Sequence, residues 1–208
     1  MLSKMNDLLK KYYQNRFKKY GASPTTIQHI SKESQFKRFK ILLAIAEEIG
    51  SIVDIGCGLG DLLEFLLDKE YTGKYLGLDF VDEFIEFSNE KYKDITNAKF
   101  MKFDFTKDDL PNTYDYIVLS TVFNNKREND EDFMFSTIGK MFKACRKGIA
   151  FNAMSTYVDY RDEHLYYSDP LKIFDYCKRN LSRQIVLRHD YLVKEDSIPF
   201  EYTMYLYK

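Results

Sequence analysis

Tryptophan is absent from this chain, cysteine and histidine occur three times each, and proline occurs only four times in 208 residues. No apolar run approaches the roughly 18 residues that a membrane-spanning helix needs. The opening stretch MLSKMNDLLKKYYQ has neither an apolar h-region nor a small-residue cleavage site, so the expectation is a cytoplasmic protein without membrane association. Cys57, Cys145 and Cys177 are odd in number and lack CxxC or histidine-interleaved spacing. That suits free thiols and not a structural metal site, so no metal is expected. Glycine is scarce too: nine residues spread evenly would place about 0.2 in any window of five, yet Gly56, Gly58 and Gly60 share one window. Glycine is used where backbone turns tightly or approaches a ligand.

Apolar residues are plentiful. They make up 45% of the chain, with 17 Tyr and 17 Phe, against 30% charged residues, enough for a sizeable core and too much for disorder or a collagen-like chain. Charge is unevenly placed. The first forty residues hold ten Lys/Arg against Asp7 and Glu33, a net +8, while the remainder carries −9. This is a solvated basic face or a guide for an anionic partner.

The pattern along the chain predicts one domain, a helical cap or lid segment over 1–50 followed by a core over 51–208. Met5, Leu8, Leu9, Tyr12, Tyr13 and Tyr20 keep helical spacing until Gly21 to Pro24 interrupt it. A second helix shows Phe36, Phe39, Leu42, Leu43, Ala46 and Ile49 on one face, with Gly50 as its C-cap. Strands are predicted over 51–55, 74–79, 98–103, 114–119 and 148–154, with helices over 61–69, 82–92, 131–146 and 170–180. The last of these starts at Ser168, Asp169 and Pro170, a cap followed by proline. Two β-rich runs, 184–193 and 200–207, close the chain as an antiparallel pair. Strand-helix alternation implies an α/β fold with a parallel sheet covered on both faces. In such folds ligands sit beyond the C-terminal strand ends, where strand order reverses.

The stretch Val53-Asp54-Ile55-Gly56-Cys57-Gly58-Leu59-Gly60-Asp61 is a strand end, a glycine turn and a helix start. A dinucleotide fingerprint would read G-x-G-x-x-G, whereas here Asp61 stands at the third glycine's place. Asp54 and Asp61 would repel a pyrophosphate on the helix N-terminus. A cationic ligand reverses that sign.

These residues resemble the first motif of the class I S-adenosylmethionine-dependent methyltransferases, whose ligand carries an ammonium and a sulfonium. The resemblance continues at Tyr75-Leu76-Gly77-Leu78-Asp79-Phe80, at Phe103-Asp104-Phe105 and at Tyr114-Asp115-Tyr116-Ile117-Val118-Leu119-Ser120, and covers residues 33 to 154 in order. It implies a Rossmann-like, seven-stranded, mostly parallel sheet with helices on both faces, an antiparallel C-terminal hairpin and two extra N-terminal helices. It also implies S-adenosylmethionine as cofactor, leaving as S-adenosylhomocysteine. Asp79 would then accept from both ribose hydroxyls, Phe80 lie beside adenine, and Asp104 and Phe105 form the adenine turn. Gly56, Cys57, Gly58 and Gly60 with Asp54, Asp61 and Ser120 would surround the methionyl end. Ser34-Gln35-Phe36-Lys37-Arg38-Phe39 resembles a helix that some small-molecule methyltransferases fold over the cofactor. Arg38 would clamp the methionine carboxylate there, or face solvent.

The acceptor must be read from the segments after the fourth and fifth strands. Ser120-Thr121-Val122-Phe123-Asn124-Asn125 lacks the proline pair of enzymes that methylate exocyclic amines of bases, and no cysteine comes after a proline as in the cytosine-C5 class. The polar aromatic stretch 152–167 reads as a binding loop, with Asn152, Tyr157, Tyr160, His164 and Tyr167, together with Asn124, as candidate acceptor contacts. His189 is the candidate base, with Tyr191 on the same strand face; His164 is a second, and a structural histidine is the plainer alternative. The sequence therefore points to a small-molecule O- or N-methyltransferase. It looks like compact enzymes of bacterial capsular and surface-polysaccharide pathways, acting on a sugar, a nucleotide-sugar or an anionic phosphoramidate- or phosphate-bearing precursor, as monomer or homodimer. An RNA methyltransferase using the basic helices and a non-catalytic cofactor-binding subunit are the alternatives; nucleic acid is the less favoured partner.

Overall fold

A computed structural model describes residues 2–28, 31–105 and 107–208, with the side chains of residues 2–6 outside the description. The place of Met5 on an apolar helix face therefore lies outside it too. The elements run α1 (Leu2–Tyr20), a short 3-10 turn (Pro24–Ile27), α2 (Lys32–Leu43), β1 (Ser51–Ile55), α3 (Asp61–Leu67), β2 (Lys74–Asp79), α4 (Asp82–Lys91) and β3 (Ala98–Lys102). Then come β4 (Tyr116–Leu119), a 3-10 turn (Val122–Asn124), α5 (Asp130–Ala144), β5 (Gly148–Met154), α6 (Pro170–Asn180), β6 (Gln184–Arg188) and β7 (Glu201–Tyr207). Local chemistry sets several of these starts. Asp169 accepts from the Leu171 amide at 2.9 Å with Pro170 in the first turn of α6, and Ser31 accepts from the Ser34 amide at 3.1 Å to open α2.

The sheet has seven strands in the order β3-β2-β1-β4-β5-β7-β6. β1 to β5 pair in parallel, and β7 runs antiparallel between β5 and β6. The chain leaves β1 toward one edge through β2 and β3, then returns to the other side of β1 as β4. The switch therefore lies between the C-terminal ends of β1 and β4, where α/β sheets bind ligands. Strand alternation divides the core. Val53, Ile55, Ile117, Leu119, Ile149 and Phe151 meet Met134, Ile138 and Met141 of α5 and Ile173 and Cys177 of α6. The other face, with Ile52, Tyr75, Val118 and Ala150, meets Phe39 and Leu42 of α2 and Leu62, Leu63 and Leu66 of α3. Asp54 shares the face of Ile52, one residue from the crevice.

Several boundaries differ from the sequence expectation by a residue or more, and three of them bear on the argument. α2 stops at Leu43, with Ala44 as its cap, and Gly50 caps nothing. Its apolar period runs on because Ile45 is buried and Ile49 half-buried against the same core after the helix has ended. The Gly50 carbonyl instead accepts from the Lys74 amide at 3.0 Å, and a Cβ there would meet Asp115. β4 begins at Tyr116, because the carbonyls of Tyr114 and Asp115 are taken by amides of the turn at 146–148. β6 ends at Arg188, so His189 and Tyr191 are not strand neighbours. No helix among the described residues is long and apolar enough to cross a membrane.

Candidate active site

The glycine turn after β1 is built on left-handed backbone: φ is 69° at Gly56, 53° at Gly58 and 77° at Gly60. A Cβ on Gly56 would lie 2.4 Å from Val122 Cγ2, and one on Gly60 would lie 2.6 Å from Tyr92. The turn is thus wedged between the loop after β4 and the α4–β3 packing. The Gly56 and Cys57 amides donate to the Leu78 carbonyl at 2.7 and 3.1 Å, which fixes the turn against the end of β2.

Asp79 closes that arrangement. One carboxylate oxygen accepts from the Gly58 amide and the other from the Val81 amide, each at 3.0 Å. Burial nevertheless pushes its pKa up to about 6, the amide hydrogen bonds opposing the shift. Asp54 accepts from the Tyr75 hydroxyl at 2.8 Å, and burial raises it to about 7, with the charges of Asp79 and Asp61 acting the same way. Two such buried carboxylates in one crevice attract positive charge when ionised. The Cys57 thiol is pushed well up by burial and the same carboxylates, so it is a packing group without nucleophilic character.

Asp54, Gly56, Cys57, Gly58, Asp79, Phe80 and Ser120 all line one cavity at the strand switch. Its accessible volume is only about 80 Å³, with Leu9 and Tyr13 of α1 and Ile27 among its walls. Its polar walls carry a conspicuous feature. Among the described residues three buried side-chain polar atoms have no hydrogen-bond partner, Gln35 Oε1, Ser120 Oγ and Arg127 Nε, and all three residues line this cavity. Arg127 is held from behind. Its Nη1 donates to the carbonyls of Val122 at 3.3 Å and Asn125 at 2.8 Å, and its guanidinium lies 4.1 Å from the centre of the Phe133 ring. Burial lowers its pKa, and no ion pair is formed to it among the described residues. The Asp130 carboxylate acts on it only through space, being bonded to the Arg127 backbone amide, and a buried guanidinium with an unpartnered N–H has capacity for an anionic group.

A second, wider cavity of about 520 Å³ adjoins the first through shared walls at Tyr13, Ile27, Thr121 and Asn125. Arg16, Gln28, Arg38, Asn124, Asp162, His164 and Glu201 supply its polar lining. Tyr13 links the two, donating to Asn125 Oδ1 at 3.2 Å, with burial raising its pKa to about 12.

Several predicted residues fall elsewhere. Arg38 neither faces solvent nor lines the first cavity: its Nε and Nη2 grip the buried Glu201 carboxylate at 2.6 to 3.1 Å. Asp61 accepts from Gln35 Nε2 at 3.0 Å and lies outside the first cavity, as does Gly60, whose open side is filled by Tyr92 and Phe100. Asp104 pairs with Lys107 at 3.3 Å and Phe105 packs on Phe103, neither lining the first cavity. His189 Nε2 donates to the Pro199 carbonyl at 3.0 Å, and the buried Tyr191 hydroxyl bonds Thr203 Oγ1 at 2.7 Å, with burial pushing that phenol upward. Neither residue lines either cavity. Of the acceptor candidates, Asn124 and His164 line the second cavity, while Tyr157 and Tyr160 are exposed outside it. Tyr167 accepts from the Asp162 amide, and Asn152 is buried between Thr121 and Glu201.

Sequence reasoning passed over Gln35, Thr121, Val122, Asn125 and Arg127 as site residues. Gln35 stands one helical turn before Arg38 on the same helix, and that spacing was the available signal. Arg127 has no short motif around it.

Known proteins resemble this chain in sequence and in fold. Residues 53–148 match a family model described as a methyltransferase domain. Over 155 residues the chain is 33% identical to Rv1506c of Mycobacterium tuberculosis, a candidate methyltransferase by name, covering 71% of this chain and 90% of that protein. The crystal structure of magnesium protoporphyrin IX methyltransferase from Synechocystis PCC 6803 with bound SAH superposes with a TM-score of 0.66 at 14% identity, covering 97% of this chain and 98% of that one. A SAM-dependent methyltransferase from Aquifex aeolicus gives 0.61 at 17% identity, covering 88% and 95%.

Proposed function

The chain belongs to the class I S-adenosylmethionine-dependent methyltransferase family, and on that premise we propose that it methylates an oxygen or nitrogen of a small polar acceptor. We take the first cavity as the cofactor site and the second as the acceptor site. The observation that carries this is the set of three unpartnered polar atoms, of complementary kinds, on residues that line one cavity together with two buried carboxylates.

The residues present fit the cofactor. Asp79, fixed by two backbone amides, has lone pairs left for the ribose hydroxyls. Arg127 offers Nε–H to the methionine carboxylate, the role that Arg38, committed to Glu201, does not fill. Gln35 Oε1 and Asp54 suit the ammonium, and Ser120 Oγ can donate or accept. When bound, S-adenosylmethionine supplies a methyl group already activated on a sulfonium. The chain's own task is to exclude water, hold donor and acceptor in line and, for a neutral hydroxyl acceptor, take a proton. His164, on the wall of the second cavity, suits that last role better than His189. Because the first cavity is narrow and covered by Leu9 and Tyr13, entry of the cofactor displaces α1, in keeping with a lid formed by residues 1–50.

The mixed polar lining of the second cavity supports a sugar, a nucleotide-sugar, or a phosphoramidate- or phosphate-bearing precursor of a bacterial surface polysaccharide. An RNA acceptor finds less support, since Lys10, Lys32, Lys37 and Arg38 of the basic N-terminal region form ion pairs within the chain. The test is turnover of methyl-labelled S-adenosylmethionine across nucleotide-sugars, phosphoramidates and short RNAs. Labelling of a small acceptor and not of RNA is expected, and labelling of RNA alone would overturn the acceptor class.

A further inference from the structure

Thr121 has a backbone that β-branched residues avoid, φ 61° and ψ −1°. It stands two residues after the end of β4, in the wall that the two cavities share. Its flanking residues, Ser120 and Val122, line the cofactor cavity, and Val122 is wedged against Gly56. An unfavourable turn of this kind persists only where its surroundings hold it.

The holding groups form a buried chain. The Thr121 amide donates to Asn152 Oδ1 at 2.7 Å. Asn152, on β5 and 1% exposed, donates from Nδ2 to Glu201 Oε2 at 3.3 Å. Glu201, at the start of β7 and also 1% exposed, is forked by Arg38 of α2. Polarity runs one way along this chain. A carboxylate accepts only, so Asn152 must present its NH₂ to Glu201 and its carbonyl oxygen to Thr121. Arg38 in turn holds the Glu201 carboxylate in place with a two-pronged grip. Four segments far apart in sequence thus determine one peptide unit at the junction of the two cavities.

We propose that Arg38, Glu201 and Asn152 are positioning residues that lock the left-handed turn at Thr121 and thereby set the cofactor cavity in register with the acceptor cavity. Arg38 and Glu201 also form part of the acceptor-cavity wall, so a bound acceptor bears on the same chain that ends at the cofactor. The alignment role rests on the methyltransferase reading; the lock on Thr121 does not. Donor and acceptor must meet in line, and misplacement by about 1 Å costs such a reaction on the order of a hundredfold.

The test uses S-adenosylhomocysteine as probe, measured by calorimetry on the full chain alongside Tm. Asn152→Ala is expected to weaken binding about tenfold, the order of a released left-handed turn. Adding Thr121→Gly should restore affinity to within about threefold of wild type, because glycine adopts that backbone unaided. Unchanged affinity with a lowered Tm in Asn152→Ala, or no recovery in the double variant, would reduce the chain to packing and overturn the proposal. Amide hydrogen exchange on the wild type decides independently of how the variants fold. The Thr121 amide should be strongly protected and lose protection in Glu201→Gln, which does not touch it; an unprotected amide in the wild type overturns the lock. If the wild type fails to bind S-adenosylhomocysteine, the methyltransferase reading falls, while the exchange result still judges the lock.

Discussion

The two cavities share four wall residues but treat buried polarity in opposite ways. In the first, Gln35, Ser120 and Arg127 each leave a buried atom without a partner, although buried polar groups in folded proteins are nearly always satisfied. In the second, the buried Arg38 and Glu201 of its wall satisfy each other, and Asn152, outside the wall, donates to Glu201. The contrast separates two roles that composition alone would merge. Unpartnered groups are poised for a ligand, whereas mutually partnered groups hold backbone in place. Arg38 and Arg127 show this best, since both arginines are withdrawn from solvent near the crevice, and among the described residues Arg38 is forked onto a carboxylate while Arg127 makes no direct ion pair.

The sharpest way to break this contrast is to remove the group assigned the largest share of binding. Asp79→Ala should weaken S-adenosylhomocysteine binding about a hundredfold, the loss expected when two hydrogen bonds to a charged acceptor are removed. Calorimetry reads it directly, and a change below threefold would move the nucleoside out of the first cavity.

A smaller effect comes from pH. Burial raises the folded-state pKa of Asp79 to about 6 and of Asp54 to about 7, both above the ordinary carboxylate value. For a group raised in this way the contribution to stability is fully present below its unfolded pKa and is lost as pH rises through the folded one. The ligand-free protein should therefore lose Tm between about pH 4 and 7 from these two groups. Cationic S-adenosylmethionine prefers the ionised carboxylates, so its affinity should rise roughly tenfold from pH 5 to pH 8 and level off above about 7. A flat profile would mean that neither carboxylate faces the ligand. Smallest of all is His189→Ala. With its ring on the Pro199 carbonyl and away from both cavities, turnover and cofactor affinity should stay as in the wild type, and a hundredfold loss of turnover would return His189 to the mechanism.

How much of this was legible in the sequence depends on the range of each interaction. The seven strands, the glycine turn, Asp54 and Asp79 are written in contiguous residues, where hydrophobic runs and spacing report local structure. Helix α2 reads too long because Ala46 and Ile49 extend its apolar period while the backbone has already left the helix. The pairing of His189 with Tyr191 failed because β6 ends at Arg188. Arg38 reads from sequence as a clamp for the methionine carboxylate or as solvent-facing, because its partner Glu201 is 163 positions away and no spacing rule reaches that far. Arg127 takes its place from the carbonyls of Val122 and Asn125 and the ring of Phe133, all near it in sequence, but the irregular backbone that brings them together has no periodic signature.

The central claim, that the unpartnered groups of the first cavity bind the amino-acid end of S-adenosylmethionine, is tested most directly by a ligand-by-variant cycle. S-adenosylhomocysteine and 5′-methylthioadenosine, which lacks the amino-acid end, would each be titrated into wild type and Arg127→Met. The account predicts that the substitution weakens S-adenosylhomocysteine about tenfold or more and leaves 5′-methylthioadenosine unchanged. Equal losses for both ligands, no loss for either, or no binding by the wild type would contradict it.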